Sequence, residues 1–238
     1  MSIEAVVLDI EGTTSSTGFV HGTLYPYSRA RFRTWIEAHL DRADVAAQVA
    51  AVRTLATEPD ADLDRVVWWL ETWLSADQKV TPLKAFQGWI WAEGFAAGDL
   101  TSHFFDDAIP HIRGWHAEGR RLFIFSSGSV SAQHAWFGNT PDGDLLPLFS
   151  GHFDTENTGP KKERGSYAKI TAAIGHAPEA TVFLSDLVSE LDAARAAGWH
   201  TIGVRRVGDE YYDQGVGDHP AVHSFDEIDL SGDAPVVG

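Results

Sequence analysis

Ile3-Glu4-Ala5-Val6-Val7-Leu8-Asp9-Ile10-Glu11-Gly12-Thr13-Thr14 is the stretch on which the fold turns. Ile3–Ile10 is a short apolar run, with Val6, Val7, Leu8 and Ile10, the pattern of a buried strand in a parallel sheet. Gly12 and the threonine pair close it. Three more runs read the same way. Arg121–Phe125 (RLFIF) ends in Ser126-Ser127-Gly128-Ser129, Thr181–Leu184 (TVFL) ends in Ser185-Asp186, and His200–Val204 (HTIGV) follows. Helical patterns separate them. Phe105–Glu118 places Ile109, Ile112, Trp115 and His116 on one face, with Pro110 in the first turn and Gly119 as the stop. Ser166–Ile174, with Tyr167, Ile170 and Ile174, closes at Gly175, and Val188–Ala197 closes at Gly198. Strand and helix alternating in this way predict an α/β fold, a doubly wound parallel-sheet (Rossmann-like) core.

Residues 25–104 differ in character. Strand signals vanish and the helical period takes over: Leu63, Val66, Val67, Leu70 and Leu74 fall at i, i+3, i+4, i+7 and i+11, and Leu83, Phe86, Ile90 and Trp91 continue the theme. Trp35, Trp68, Trp69, Trp73, Trp89 and Trp91 all lie here, and core packing is the main expectation for them. The sequence therefore predicts an inserted all-helical cap at 25–104, after the first strand, and a core built from 1–24 and 105–238.

Composition narrows the function. Eighteen Lys+Arg stand against 34 Asp+Glu, a formal charge of −16. That excess argues against a nucleic-acid groove and an anionic membrane surface. The absence of cysteine excludes disulfides, Cys-ligated zinc, iron–sulfur clusters and thiol catalysis. No apolar run approaches the roughly 20 residues of a membrane span, and the first ten residues show no secretory pattern. The expectation is a cytoplasmic monomer with a small-molecule substrate and no nucleic-acid or membrane partner.

In an open α/β sheet the loops at the carboxyl ends of the strands share one crevice. Those loops deliver Asp9 and Glu11, then Ser126 and Ser127, then Asp186; the pair Lys161-Lys162 precedes the helix containing Tyr167. Acids, hydroxyls and an ammonium together suit Mg²⁺-assisted phosphoryl transfer to a carboxylate. Asp9, at the strand tip, is placed to attack phosphorus. Asp9 and Asp186 suit one Mg²⁺, a hard cation that takes a few carboxylates plus water and substrate oxygens. Glu11, two residues on, points to the same side as Asp9 and can serve as acid and base. Ser126 and the amides after it can hold phosphate oxygens, and Lys161 supplies a point charge, with Lys162 the lesser candidate. Glu190, one helical turn after Asp186, can orient Lys161 or a bound water.

These residues resemble a known family. Asp-x-(Asp/Glu)-Gly-Thr after the first strand, Ser after the second, a later Lys and a later Asp resemble the haloacid-dehalogenase-like hydrolases. The strings VLDIEGTT, KAFQGWIWAEGF, FIFSSGSVSAQ, HFDT and FLSDLVSELDAA are similar to the enolase-phosphatase (acireductone synthase) family of methionine salvage. The resemblance covers residues 3 to about 205. It implies that Asp9 is nucleophile and metal ligand, and that Glu11 is acid/base with its carbonyl on the metal. It makes Asp186 the other carboxylate ligand, and Ser126, Ser127 and the motif lysine substrate-binding. The implied reaction takes a phosphorylated diketone, 2,3-diketo-5-methylthiopentyl-1-phosphate, through an enol to 1,2-dihydroxy-3-keto-5-methylthiopentene and phosphate, on one Mg²⁺ per chain. Glu11, Lys161 and a cap residue all stay open as the group removing the C1 proton.

Other features have plainer readings. Ser126-Ser127-Gly128 can be no more than the N-cap of the helix containing Val130 and Ala132. Lys84 and Gln87 suit an exposed helix face. His219 and His223, at i and i+4, read as incidental surface histidines, and Gly215-x-Gly217 lacks the preceding strand of a dinucleotide fingerprint. A capped phosphatase acting on another small ester is the nearest rival. A receiver-like phospho-acceptor domain would carry its Asp after the third strand, and a scaffold that keeps only the fold would have lost Asp9 or Asp186.

Overall fold

β1 (Ala5–Leu8) is buried along its whole length because it is apolar on both faces. In this computed structural model, which describes residues 2–238, it pairs in parallel with β2 (Arg121–Phe125) on one side and β4 (Thr181–Ser185) on the other. With β3 (Phe149–Phe153), β5 (His200–Val204) and β6 (Ala221–Val222), the sheet has the order β3-β2-β1-β4-β5-β6, parallel throughout. The chain thus winds one way from β1 through β2 to β3, then returns to β4 and winds the other way. β1 is the point of reversal, and crevices at the carboxyl ends of such strands are where ligands bind in open α/β sheets. Ala5 and Val7 pack with Phe123, Phe125, Phe183 and Tyr167 in one core cluster.

β3 has no counterpart among the apolar runs. Phe149-Ser150-Gly151-His152-Phe153 carries only two large apolar residues and is an edge strand, only partly buried. β6 and the antiparallel pair β7 (Ile228–Asp229) and β8 (Val236–Val237) have two residues each, too short to show a period.

The chain divides into two compact units, one reaching Phe19 and resuming at Thr101–Gly238, the other Val20–Leu100. The second holds a π-helical turn at Val20–Leu24, α2 (Tyr25–Arg29), α3 (Phe32–His39), α4 (Ala43–Leu55), α5 (Leu63–Ser75) and α6 (Thr81–Ala97), following the three-residue α1 (Thr17–Phe19) of the first unit. Asp62 caps α5 by accepting from the Arg65 amide, and Gly98, left-handed at φ 78°, ends α6. Phe32, Ile36, Val52, Val66, Leu70 and Phe86 form its interior. Trp35 and Trp73 are buried there, Trp69 and Trp89 pack against it, and Trp68 is exposed.

Several expectations need correction. α7 spans Ala108–Ala117, and His116 is exposed while Ala108, Ile109, Ile112 and Trp115 are buried; the buried stripe closes on Trp115. α8 (Val130–Gly138) is capped by Ser129, whose hydroxyl accepts from the Ala132 amide, so Ser126 to Gly128 are not its cap. α9 (Arg164–Ile174) begins two residues earlier than its apolar pattern, and α10 (Val188–Ala196) ends one residue sooner. Gln87 is buried rather than exposed, and Lys84 is half-buried. His219 is no surface histidine: it is buried between the Thr201 hydroxyl, 2.7 Å away, and the Asp192 carboxylate at 3.1 Å. No described helix is long and apolar enough to cross a membrane.

Candidate active site

Asp9 leaves β1 with its amide donating to the Leu184 carbonyl, so the strand pairing fixes it at the sheet's edge. The chain then turns at once. The amides of Thr13, Thr14 and Ser15 all donate to the Ile10 carbonyl, and Gly12, at φ 69°, has the left-handed conformation that the turn needs. A second constraint opposes any side chain there, since it would have to displace Asp186. A Cβ on Gly12 would lie 1.9 Å from Asp186 Oδ2, so the loop backbone rests directly on that carboxylate. Asp186 follows β4, the neighbour of β1, and one tight loop brings both acids to one place.

Asp9 is buried, and its Oδ1 accepts from the Ile10 amide at 2.7 Å and lies 2.6 Å from Lys161 Nζ. Lys161 Nζ is also 2.6 Å from Glu190 Oε2. The Ser185 hydroxyl lies 2.9 Å from the same Glu190 oxygen and 3.4 Å from Asp9 Oδ2. Tyr167 holds the lysine from behind, its hydroxyl donating to the Lys161 carbonyl at 2.7 Å. Lys161 is 5% exposed whereas Lys162 is exposed at the surface, so the structure distinguishes the two lysines.

The charges are set by burial. Loss of water raises Asp9 to about 7, with Lys161 opposing that rise and Glu190 adding to it. Asp186 rises to about 8, first through burial and then through the neighbouring Asp9 charge. Burial works against the Lys161 ammonium too, but Asp9 and Glu190 hold its pKa above the ordinary value. Two adjacent carboxylates that both resist ionisation form a pair suited to a divalent cation. Among the described residues no three acidic or histidine side chains form a group that could hold a metal ion by themselves. Glu11, two residues after Asp9 in the same turn, is half-buried. Two carboxylates plus backbone and solvent oxygens match what Mg²⁺ takes.

On the other side of β1, Ser126 is buried at the tip of β2 and accepts from the Gly128 amide at 3.2 Å, while Ser127 is exposed. Two residues that composition and period did not single out brace this loop. Asp154, after β3, accepts from the Val130 amide at 2.9 Å and from the amides of Glu156 and Asn157. Gln133 donates to the carbonyls of Gly128 and Phe153, at 2.9 and 2.8 Å. Asp154 lies in the string HFDT and Gln133 closes the string FIFSSGSVSAQ, but neither string gave its residue a role.

A buried aspartate at a strand tip, a second carboxylate beside it, a paired lysine and a hydroxyl loop on a doubly wound sheet suit phosphoryl transfer. The family profile of haloacid dehalogenase-like hydrolases matches residues 3–198, and the chain shares that fold with a crystallised CbbY of Rhodobacter sphaeroides at TM-score 0.61 and 17% identity over 94% of this chain and 96% of that one. Enolase-phosphatase E1 of Streptomyces avermitilis is 57% identical over 229 residues, 96% of each chain, and that of Pseudomonas syringae pv. tomato is 48% identical over 96% of this chain and 98% of its own. The UTR4 protein of Saccharomyces cerevisiae superposes with TM-score 0.77 at 30% identity, over 94% of this chain and 98% of that one. This chain belongs to the haloacid dehalogenase-like hydrolases, and within them to the enolase-phosphatase E1 family.

Proposed function

We propose that the chain converts 2,3-diketo-5-methylthiopentyl-1-phosphate to 1,2-dihydroxy-3-keto-5-methylthiopentene and phosphate, in the cytoplasm and as a monomer, with 25–104 serving as the cap. The observation that carries the phosphatase half is the Asp9–Lys161–Glu190 arrangement beside Asp186. Lys161 keeps one Asp9 oxygen pinned, leaving Oδ2 with only the long Ser185 contact. That oxygen attacks phosphorus as the bond to the substrate's C1 oxygen breaks, giving an aspartyl-phosphate. Glu11 gives its proton to the departing oxygen, then takes one from the water that attacks the aspartyl-phosphate and releases phosphate. Ser126, Ser127 and the Lys161 ammonium hold the phosphoryl oxygens. Asp9, Asp186 and the Glu11 carbonyl would hold Mg²⁺, which supplies positive charge between two anions and to an enolate oxygen. Glu190 and Tyr167 keep Lys161 in place throughout.

Supplying the diketone phosphate with Mg²⁺ and following ultraviolet absorbance with free phosphate tests this reading. A conjugated enol product appearing with stoichiometric phosphate is the expected result. Phosphate without that product would leave a capped phosphatase of another small ester.

A further inference from the structure

Arg206 stands just beyond β5, behind the Asp9–Thr14 loop, and the reaction as derived makes no use of it. We infer that Arg206 is a positioning residue, which holds the Thr13 carbonyl and thereby sets the loop against Asp186. This inference rests on the phosphatase reading above.

The guanidinium is as buried as Lys161, at 5% exposure. Its Nε–H donates to the Thr13 carbonyl at 2.9 Å, and Nη1–H donates to Asp107 Oδ2 at 2.7 Å and the His223 carbonyl at 3.2 Å. The group sits 4.4 Å from the Phe105 ring centre and 4.6 Å from that of Phe225. Asp107 Oδ2 also accepts from the Phe225 amide at 2.6 Å and from the Ser224 hydroxyl at 3.1 Å, which anchors the far end. Burying an ion pair costs as much as it returns, and an apolar group of similar volume would often serve stability equally well. What an apolar group cannot supply is a rigid fork of donors joining a loop carbonyl to a fixed carboxylate, and neither can the single ammonium of lysine.

The neighbouring contacts serve the same loop. The Phe105 amide donates to the Thr14 carbonyl at 3.0 Å, and the Asp209 carboxylate accepts from the Thr17 amide at 3.1 Å. The residue before Thr13 is Gly12, whose backbone already rests on Asp186 without room for a Cβ. Movement of the Thr13 carbonyl therefore alters both the Asp9–Asp186 separation and the direction of Glu11. A misplacement of about 1 Å at a reacting centre costs on the order of 100-fold in rate.

Arg206→Lys tests the inference, with His219→Gln as a control at a buried polar site in the same unit that does not touch the loop. Mg²⁺ binding to the metal-free proteins is measured by calorimetry, and hydrolysis of the diketone phosphate and of p-nitrophenyl phosphate by kinetics. Arg206→Lys is expected to weaken Mg²⁺ binding about fivefold or more and lower kcat by about 10- to 100-fold, with KM within about threefold of wild type. His219→Gln is expected to match wild type in both, whatever its thermal midpoint. Should Arg206→Lys not fold, Asp107→Asn keeps the shape while weakening the anchor, and a roughly threefold loss in both readouts is expected. A folded Arg206→Lys, or in its place Asp107→Asn, whose only change is a lower thermal midpoint overturns the inference alone. A wild-type chain that neither binds Mg²⁺ nor releases phosphate overturns the phosphatase reading, and this inference with it.

Discussion

The two units bury different things. Among the described residues, every buried Asp, Glu, Lys and Arg lies in the α/β unit; Val20–Leu100 buries only Ser28 and Gln87 as polar residues, around an interior of Phe, Trp, Val, Leu and Ile. Apolar burial stabilises at roughly 25 cal/mol per Å² and asks only for filled volume. Buried charge costs free energy unless it is paired, and the α/β unit carries that cost near the carboxyl ends of β1, β3, β4 and β5. Residues in the helical interior should therefore be felt as stability, and residues at the strand tips as activity.

The largest effect is expected at Asp9. Asp9→Asn removes the nucleophile and should lower phosphate release by about 1,000-fold or more. Stability should move the other way. The Asp9 pKa is raised to about 7 by burial, so between the ordinary value of 3.8 and about 7 the folded state binds more protons than the unfolded one. Stability is then lost as pH rises through that window, and at pH 8 the metal-free wild type carries the full cost of an ionised Asp9. Asparagine carries no such cost. The thermal midpoint of metal-free Asp9→Asn should equal or exceed that of wild type at pH 8, with the advantage gone at pH 4. A marked drop in midpoint at pH 8 would show that the Lys161 pairing stabilises more than burial costs. Lys162→Ala, at an exposed side chain, should change neither rate nor midpoint.

How much of this was legible before the structure follows the same division. β1, β2, β4 and β5 were legible because strands covered on both faces must be apolar throughout, and RLFIF and HTIGV match the observed β2 and β5 residue for residue. β3 was not, since an edge strand tolerates Ser150 and Gly151. Asp9 and Asp186 were legible because strand tips of a doubly wound sheet converge, whichever residues occupy them, whereas Lys161 came from its place before the Tyr167 helix in the family motif. Gln133 and Arg206 were hidden for the opposite reason. Each grips backbone carbonyls, and its side-chain partner, Asp107 for Arg206 and His152 for Gln133, lies 99 or 19 residues away in the chain, too far for any local pattern to pair them. Gln87 and His219 were placed on the surface because period and composition describe a helix face or a polar tail on average. Only packing shows that one glutamine and one histidine turn inward.

A smaller effect, on stability alone, is expected in the helical unit. Phe86 is fully buried and lies against Trp35 and Trp89, with ring centres 6.4 and 5.7 Å away. Phe86→Ala loses the transfer term and leaves a cavity, at about 3–5 kcal/mol. Denaturant titration should show that loss in the midpoint. Turnover of p-nitrophenyl phosphate per folded molecule should stay within about threefold of wild type, because no ionised group has moved. A tenfold drop in that turnover with the midpoint unchanged would break the division between the units.

The smallest expected effect lies inside the α/β unit, at a site away from the tips of β1 and β4. His152 on β3 is pushed down to about 4 by burial, with His134 4.5 Å away adding to the shift. It donates through Nδ1–H to Gln133 Oε1 at 3.1 Å and so steadies the brace on the Ser126–Gly128 loop, while burial keeps the ring neutral. Between the ordinary histidine value of 6.5 and about 4, the unfolded chain binds the proton and the folded one does not. Stability from this group is therefore complete above pH 6.5 and is lost progressively as the pH falls toward 4. His152→Gln keeps a hydrogen-bonding side chain and removes the titration. Its denaturant midpoint should fall less than that of wild type between pH 7 and pH 4.5. If the two fall in parallel, the acid sensitivity of this unit belongs to its carboxylates rather than to the imidazole behind the hydroxyl loop.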